Sequence, residues 1–432
     1  MEENRIVLGY DLNYEFAQIS YLVLDKEKPE TYAFRNEGEK YNIPLCLCKR
    51  REVNQWYYGE EALSWARSGE GILVEDILTK ALLGEKILIK EEGVSQEFDP
   101  VQLLGLFIKK SFSQMGFFLG SYEIQALMFT VEQLDERMLT VLKEAVCGLQ
   151  LEKEKIYFQS RLESIYYYVI HQPKELWSYQ VGIFDFGGEK LKSYRVEMNH
   201  KTKPIVTLIH PKIHSNIARK RVYPSIMEKD RYLEQLDLDL YTLLTHYVEG
   251  NIMTSIYLIG DGFFGDWYKQ SLNFLCKGRR VFGGNNLYSK GACLAAKERV
   301  IPSEIASSYI FLGQDKLKYN VGIRMLNGTD EEYAPILDAG LNWYEAKAEF
   351  DFMLMEGSQI PIIITPMIGD GEFVHEITVE GFTDRPKGTV RLHLSAWMNS
   401  DTEMMIRIMD EGFGDFFPAR SDVWEEKIVL GV

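Results

Sequence analysis

A strand-and-turn pattern occurs twice in this chain and constrains its fold more than any other feature. Residues 5–11 (RIVLGYD) read as a buried strand that ends in an acid, and strands at 17–25 and 30–34 follow. Residues 180–209 repeat this order, with QVGIFD ending at Asp185, a turn at FGGEK, and two further strands. Such a duplicated meander predicts two homologous lobes that face each other across a cleft. Two ordinary hairpins could also share the pattern by chance.

Segments with helical spacing fill the intervals between and after the meanders. Asp99 and Pro100 form an N-cap and first-turn pair ahead of an apolar helical pattern. Later segments predict a helix at 132–146 that stops before Gly148, a charged helix at 226–248, a strand at 255–260 and a helix at 267–275, followed by a segment of small residues at 289–298. This order predicts an α/β domain over residues 1–303, with lobes of about 1–175 and 176–303.

The sequence changes character after Ser307. Short runs that alternate apolar and polar residues, such as LKYNVGIRM and TVRLHLSAWM, are separated by Gly, Asp, Asn or Pro. This pattern is typical of an antiparallel sandwich of roughly seven or eight strands. We therefore expect a separate β-sandwich over residues 304–432, with a boundary near 301–308 and without a helical lid.

Composition limits the partners and the compartment. The formal charge of −16 argues against a nucleic-acid partner, because phosphate backbones are bound by basic surfaces. No run reaches the roughly 18 apolar residues of a membrane helix, and Glu2, Glu3 and Asn4 do not resemble the start of a secretory signal. These features predict a cytoplasmic protein that does not contact a membrane.

Segments in the same order along the chain resemble the 70-kilodalton heat-shock chaperones, which belong to the actin, hexokinase and heat-shock superfamily. They are GYDLNYE (9–15), IPLCLC with WYYGEEALSWA (43–66), ILVEDILTKALLGEK (72–86), RLESIYYYVI (161–170), FDFGGEKL (184–191), LIGDGFFGDW (258–267) and a sandwich segment at 377–408. The resemblance rests on this order, since each motif alone is weak. It implies a two-lobed, actin-like (ribonuclease H-like) nucleotide-binding domain, followed by a β-sandwich that binds a polypeptide or protein partner.

The resemblance also implies that ATP or ADP with Mg²⁺ binds between the lobes. Asp11 and Asp185 would hold the hydrated metal through water, and glycines would let backbone N–H groups approach the phosphates. The implied nucleotide-binding residues are Asp11, Leu12, Asn13, Asp185, Gly187, Gly188, Gly260, Asp261 and Gly262. Lys80 would neutralise phosphate charge and Glu163 would orient metal-bound water, which makes them the implied catalytic residues. Each aspartate could instead only cap its turn.

The phosphate loops depart from the family pattern. Asn13, Tyr14 and Glu15 stand where the family has Gly-Thr-Thr, and Glu189 and Lys190 replace a glycine and a threonine. Lost hydroxyls and an added carboxylate predict weak triphosphate binding and hydrolysis that is very slow or absent. Restoring Gly, Thr and Thr at 13–15 is then expected to strengthen binding.

A second departure is the short interval between the two glycine turns. The segment from Asp185 to Gly260 is shorter than in the chaperones, so the subdomain that closes over adenine is reduced. A basic run at 219–221 could be a remnant of adenine-contacting residues or a solvated helix face.

Three classes of function remain open on the sequence alone. The first is a divergent, lidless chaperone-like protein that binds nucleotide and a polypeptide. The second is a pseudo-ATPase scaffold without turnover. The third is a small-molecule kinase of the same superfamily, which does not account for a sandwich that resembles the peptide-binding domain.

Overall fold

The chain divides into two compact units. The computed structural model describes residues 4–33, 41–51, 53–91, 94–116, 120–220, 222, 224–327, 330–355, 357–382 and 385–431. The first unit comprises Met1–Met198 and Thr207–Tyr309, and the second comprises Asn199–Val206 and Ile310–Val432. The division after Tyr309 lies next to the predicted boundary at 301–308.

The helices of the described residues all belong to the first unit. They are α1 (Gly59–Arg67), α2 (Ile77–Leu83), α3 (Pro100–Ser113), α4 (Glu136–Ala145), α5 (Arg161–Ile170), α6 (Ile226–Val248), α7 (Lys269–Leu275), α8 (Leu287–Val300) and α9 (Glu304–Ser308). Short 3₁₀ turns occur at Val146–Gly148, Lys153–Lys155, Lys174–Leu176 and Asp261–Phe263.

Strands account for most of the remaining regular structure. Those up to the second meander are β1 (Arg5–Leu12), β2 (Phe16–Val23), β3 (Glu30–Thr31), β4 (Ile43–Pro44), β5 (Leu47–Arg50), β6 (Trp56–Tyr58), β7 (Gly71–Val74), β8 (Ile87–Glu91), β9 (Val94–Phe98), β10 (Glu123–Val131) and β11 (Ile156–Ser160). They are followed by β12 (Gln180–Asp185), β13 (Lys190–Asn199), β14 (Ile205–Ala218), β15 (Met253–Ile259), β16 (Arg280–Gly284), β17 (Tyr309–Phe311), β18 (Tyr319–Asn327), β19 (Asp330–Leu337), β20 (Lys347–Leu354), β21 (Gln359–Pro366), β22 (Phe373–Thr378), β23 (Val390–Met398), β24 (Glu403–Asp410) and β25 (Val423–Val429).

The two main sheets of the first unit share one strand order. In the first sheet the order is β11-β10-β1-β2-β3, with β1 antiparallel to β2 and parallel to β10. Five strands of the second sheet run β16-β15-β12-β13-β14, with β12 antiparallel to β13 and parallel to β15. The meander that recurs in the sequence therefore recurs in space. The chain is a mixed α/β protein, as predicted.

Strands β1 and β12 are apolar along their length because both faces of each sheet are covered. Every residue of β1 after Arg5 is buried, which matches its nearly continuous apolar sequence. Helix α3 covers one face and begins where predicted, since the Asp99 carboxylate accepts hydrogen bonds from the backbone N–H groups of Val101 and Gln102.

Helix α8 packs on the first sheet, although it follows the second sheet in the chain. Its residues Ala292–Ala296 share a buried cluster with Val7, Leu22, Ala126 and Met128. A Cβ atom at Gly9 would clash with the backbone of α8, and one at Gly291 would clash with the backbone of Ser164 in α5. Helix α8 thus lies within the predicted lobe of residues 176–303 but packs on the first sheet.

The second unit contains two four-stranded antiparallel sheets. Their orders are β19-β18-β21-β22 and β20-β23-β24-β25. One apolar cluster includes Val321 and Ile362 from the first of these sheets and Leu394 and Ile406 from the other. Strand β19 was not predicted, because its first residues are acidic and exposed and do not alternate with apolar ones.

Candidate functional site

A cavity lies where β1 and β12 end, in the first unit. Its lining residues are Asp11, Asn13, Tyr14, Glu15, Phe16, Glu132, Arg161, Asp185, Gly187, Gly188, Lys192, Ile259, Gly260, Asn285 and Tyr288. The two aspartates that end the repeated strands thus lie at one cavity. Its volume is about 170 Å³, which is below the roughly 300–1,000 Å³ of ordinary small-molecule pockets.

Arg161 occupies both carboxylate oxygens of Asp11. Its Nε donates to Oδ1 and its Nη2 donates to Oδ2, each at 2.9 Å. Asp11 is only 2% exposed, so the pair is a buried, bidentate ion pair of the strong kind. A hydrated metal would have to displace the guanidinium to reach this carboxylate.

Tyr288 connects Arg161 to the second aspartate. The Arg161 guanidinium lies 4.4 Å from the centre of the Tyr288 ring, which is a cation–π contact. The Tyr288 hydroxyl donates to Asp185 Oδ2 at 2.7 Å, and the backbone N–H of Gly187 donates to Asp185 Oδ1 at 2.8 Å. Asp11, Arg161, Tyr288 and Asp185 therefore form one polar chain between the ends of β1 and β12, which we term the cleft bridge.

The electrostatics of the cleft bridge follow from its burial. Burial raises the pKa of Asp11, an effect that the Arg161 guanidinium counteracts. Burial also opposes the charge on Arg161, but the Asp11 carboxylate raises the pKa of that arginine overall. Burial and the Asp185 carboxylate raise the pKa of Tyr288 well above its ordinary value. Tyr288 is therefore a hydrogen-bond donor at neutral pH, and Arg161 remains charged.

Asn13 closes the turn between β1 and β2. Its Oδ1 accepts hydrogen bonds from the backbone N–H groups of Glu15 at 2.8 Å and Phe16 at 2.7 Å. This local turn is a common use of asparagine and occupies the side-chain oxygen. Tyr14 and Glu15 line the cavity as well.

The second glycine turn packs against the protein itself. The backbone N–H of Gly262 donates to the Phe186 carbonyl at 3.0 Å, and a Cβ atom at Gly260 or Gly262 would clash with residues 186–187. Gly260 also has φ = 93°, which favours glycine. These two glycines are explained by the close approach of two turns.

Arg219 holds the same turn from outside the cavity. Its Nη1 and Nη2 donate to the Asp261 carboxylate at 2.6 and 3.1 Å, and Nη1 also donates to the Gly187 carbonyl at 3.1 Å. Arg219 follows β14, so the expectation of a solvated helix face at 219–221 is wrong for this residue. Lys220 lies over the Tyr232 ring, and Arg221 lies outside the described residues.

Other residues implied by the resemblance do not line the cavity. Leu12 is fully buried in the core, and Asp261 is paired with Arg219. Lys80 lies in the last turn of α2, and Glu163 is buried in the first turn of α5. Asp11, Asn13, Asp185, Gly187, Gly188 and Gly260 do line it.

The sequence reasoning missed Arg161 and Tyr288, the two residues that connect the aspartates. The resemblance gave the functional role in the first turn of α5 to Glu163. The residue of that turn that lines the cavity is Arg161, two positions earlier. One signal was available. A cation at the first residue of a helix opposes the helix dipole and therefore suggests a nearby carboxylate.

The strand order and the cleft bridge define a mixed α/β protein whose two matching sheets meet at a cavity, followed by a unit of antiparallel sheets. The chain belongs to the family of unknown function DUF5716, whose C-terminal part matches residues 28–314. A domain of unknown function, DUF8552, matches residues 316–430. No curated protein matches the chain. In the part of the chain that the structure describes, no helix is long and apolar enough to cross a membrane.

Proposed function

We propose that this protein is a pseudo-ATPase of the actin and heat-shock superfamily, a scaffold that retains the two-lobed fold without turnover. The repeated strand order and the resemblance of the motifs support the superfamily. The cleft bridge carries the proposal, because Arg161 occupies the carboxylate that would hold a metal. Protein groups thus take the place of the phosphate and metal contacts.

A nucleotide with Mg²⁺ does not fit this arrangement. The cavity of about 170 Å³ is smaller than a ligand pocket, and both oxygens of Asp11 are occupied. Separating a buried ion pair by removing one partner costs about 3–5 kcal/mol. MgATP would have to separate the Asp11–Arg161 pair before its metal could reach Asp11. Lys80 and Glu163, which the resemblance assigns to catalysis, do not line the cavity.

The test separates the cleft bridge from the substituted loop as the cause of weak binding. Replacing Asn13, Tyr14 and Glu15 with Gly, Thr and Thr leaves Arg161 on Asp11, so we expect MgATP to produce no change in Tm, as for the unmodified protein. Adding Arg161→Ala releases Asp11, and a Tm increase with MgATP is then expected. Ligand at about 100 times Kd would add about 2.7 kcal/mol of stability.

Arg137→Ala in the same triple background is the matched control, since Arg137 is exposed on α4. It should leave the response to MgATP unchanged. Clear MgATP binding by the triple replacement alone would refute the role of Arg161. Hydrolysis by the unmodified protein at a rate typical of the chaperones would refute the pseudo-ATPase proposal itself.

A second candidate function is binding of an extended apolar polypeptide by the second unit. The loop between β24 and β25 exposes 92% of Phe416 and 47% of Phe413. Its base is held by buried Asp410, whose carboxylate accepts two hydrogen bonds from Arg385 and one each from the backbone N–H groups of Gly412 and Arg420. An exposed aromatic pair on a well-anchored loop favours contact with apolar side chains.

An extended peptide is the occupant that the neighbouring strand favours. β25 follows the loop and ends its sheet within the described residues, so its outer edge can pair with an added strand. Phe413→Ser with Phe416→Ser should raise the Kd of a fluorescent, leucine-rich peptide about tenfold or more, as for aromatic hot spots. Phe373→Ser, which alters an exposed phenylalanine on β22, is the control. Equal losses from both variants would refute this site.

A further inference from the structure

A second and larger cavity of the first unit has no lining residue in common with the first cavity. Its volume is about 610 Å³, within the range of small-molecule pockets. Strands β13 and β14 and helix α6 form its walls. Its lining residues are Ser193, Arg195, His210, Pro211, Lys212, His214, Asn216, Asp239, Thr242, Leu243, His246, Tyr247 and Asn251.

The strand and helix periodicities bring these side chains together. Along β14, His210, Lys212, His214 and Asn216 are two residues apart and therefore share one face. On α6 the lining residues from Asp239 to Tyr247 recur at helical spacing and face the strands. The cavity is thus built from regular elements.

The lining is basic, in contrast to the chain as a whole. It contains one arginine, one lysine and three of the chain's seven histidines, against a single carboxylate from Asp239. The formal charge of the chain is −16. A concentration of cationic and N–H groups within an acidic protein favours an anionic ligand at this place.

Arg195 and Lys212 are the two permanently charged cations of the cavity. Among the described residues, neither Arg195 nor Lys212 forms a side-chain ion pair, and Arg195 Nε is buried without a hydrogen-bond partner. A buried guanidinium N–H that lacks a partner carries a desolvation cost that an anion would relieve. Because guanidinium groups match phosphate oxygens and lysine adds a point charge, the pair suits a dianion.

Neutral groups around the two cations can complete the ligand contacts. His214 is buried and lies 2.7 Å from Ser193 Oγ through its Nε2. Burial, with the nearby charge of Lys212, lowers the pKa of His214, so this ring is neutral at pH 7. His246 Nδ1 lies 2.7 Å from the Thr242 carbonyl and donates to it, which leaves its other nitrogen facing away from that bond.

The histidines do not make this cavity a metal site. Within the described ranges no group of three or more His, Cys, Asp or Glu side chains is placed to hold a metal ion. Their hydrogen-bonding contacts are instead with Glu197 for His210, with Ser193 for His214 and with the Thr242 carbonyl for His246.

We propose that this cavity binds the phosphate group of a small phosphorylated molecule, with Arg195 and Lys212 holding the phosphate. A phosphate monoester carries about −1.5 to −2 charges at pH 7, which the two cations balance. Tyr247 and Leu243 provide apolar surface for the rest of the molecule, since the cavity is larger than a phosphate ion needs. The site is separate from the cleft bridge and does not depend on the proposed pseudo-ATPase function.

In the experiment, the full chain is titrated with inorganic phosphate, glucose 6-phosphate and succinate. Binding is measured by calorimetry and by NMR of the labelled histidine rings. We expect both phosphate compounds to shift the signals of His210, His214 and His246 and to leave the other four unchanged. Arg195→Met with Lys212→Met should raise the Kd for phosphate by at least about 20-fold, because two charge-assisted contacts are lost.

Lys277→Met with Arg280→Met is the matched control, since it removes the same charge from exposed positions in the same unit. It should change the Kd less than about twofold, by long-range electrostatics alone. Equal effects of the two double variants, histidine signals that do not respond to either phosphate compound, or tighter binding of succinate would each overturn the proposal. The NMR result on the unmodified protein holds even if the Arg195 variant does not fold.

Discussion

Arg161 lies at a position that does not favour a cation by itself. It is the first residue of α5, where the positive end of the helix dipole favours anions. The Asp11 carboxylate at 2.9 Å and the Tyr288 ring compensate for this, so the guanidinium is stable there only within the folded chain. Asp11 and Arg161 therefore depend on each other.

The first prediction concerns that dependence. Arg161→Ala should lower the free energy of unfolding by about 3–5 kcal/mol, because it leaves a buried carboxylate without its partner. The double variant Asp11→Leu with Arg161→Met should cost less than Arg161→Ala, since no buried charge is left. Urea unfolding of the variants measures the difference.

Arg219→Ala is the control for this prediction, because the Arg219–Asp261 pair is partly exposed. It should cost about 1 kcal/mol or less from the ion pair. Equal costs for Arg161→Ala and Arg219→Ala, or a double variant as unstable as Arg161→Ala, would show that the buried pair is not coupled in this way.

The positions of Asp11 and Asp185 could be predicted from the sequence, whereas their partners could not. Each aspartate ends an apolar strand of a repeated pattern, and repeated strands place equivalent ends at one cleft. Arg161 is 150 residues from Asp11 in the chain, so no local pattern relates them. Lys80 and Glu163 were assigned by motif order, which does not determine the direction of a side chain.

The loop between β24 and β25 shows how one buried carboxylate can hold an element. Asp410 accepts from Arg385 at 2.8 and 2.7 Å, and their side chains are 0% and 3% exposed. Gly412 has φ = 66°, and a Cβ atom there would clash with the loop backbone. The loop conformation thus depends on an ion pair at its base and on one glycine.

The second prediction concerns the pH dependence of this loop. Burial alone would raise the pKa of Asp410, but Arg385 and the two backbone N–H groups lower it below its ordinary value of 3.8 overall. A lowered pKa in the folded state contributes stability above pH 3.8 that is lost as the pH falls further. We expect the loop to open as the pH falls below 3.8 and through the lowered pKa of Asp410, with a rise in hydrogen exchange at residues 411–420.

Asp410→Asn should produce the same rise at pH 7, because the neutral amide cannot form the ion pair. The control variant is Asp351→Asn. Asp351 lies on the exposed face of β20, and a hydrogen bond from His393 lowers its pKa. This variant should leave exchange in the loop unchanged. Protection of the loop in Asp410→Asn equal to that of the unmodified protein would contradict this account.

Elements with a strong period were predictable, and elements defined by tertiary contacts were less so. The predicted helix at 226–248 has the observed bounds of α6, because its apolar residues recur along one face. Strand β14 runs to Ala218, well beyond the predicted segment, since its outer half alternates polar residues that line the second cavity. Without apolar residues at alternate positions, this half of the strand could not be recognised from the sequence.

At the scale of the whole molecule, one helix connects the two main sheets within the first unit. Helix α8 follows β16 of the second sheet and packs on β1, and it contacts α5 through Gly291. Tyr288 of the same helix donates to Asp185 at the end of β12, so α8 contacts both sheets. We expect the unit to unfold in one transition rather than sheet by sheet.

The third prediction tests that coupling. Gly291→Ala should destabilise the first unit by about 1–3 kcal/mol, because its Cβ atom would clash with the Ser164 carbonyl and force the helices apart. Hydrogen exchange should increase in both β1 and β12. Gly283→Ala is the control, since nothing lies within 4 Å of its Cβ position. An increase confined to one sheet would show that the sheets unfold separately.

The position of α8 also bears on how the chain is made. Strand β1 leaves the ribosome before the helix that covers one of its faces, which begins only at Leu287. At about 5–20 residues per second, that face stays uncovered for roughly 15–55 s. During synthesis β1 therefore remains an exposed apolar strand until α8 has been made. A pause in translation before residue 287 would prolong this exposure and increase the risk of aggregation.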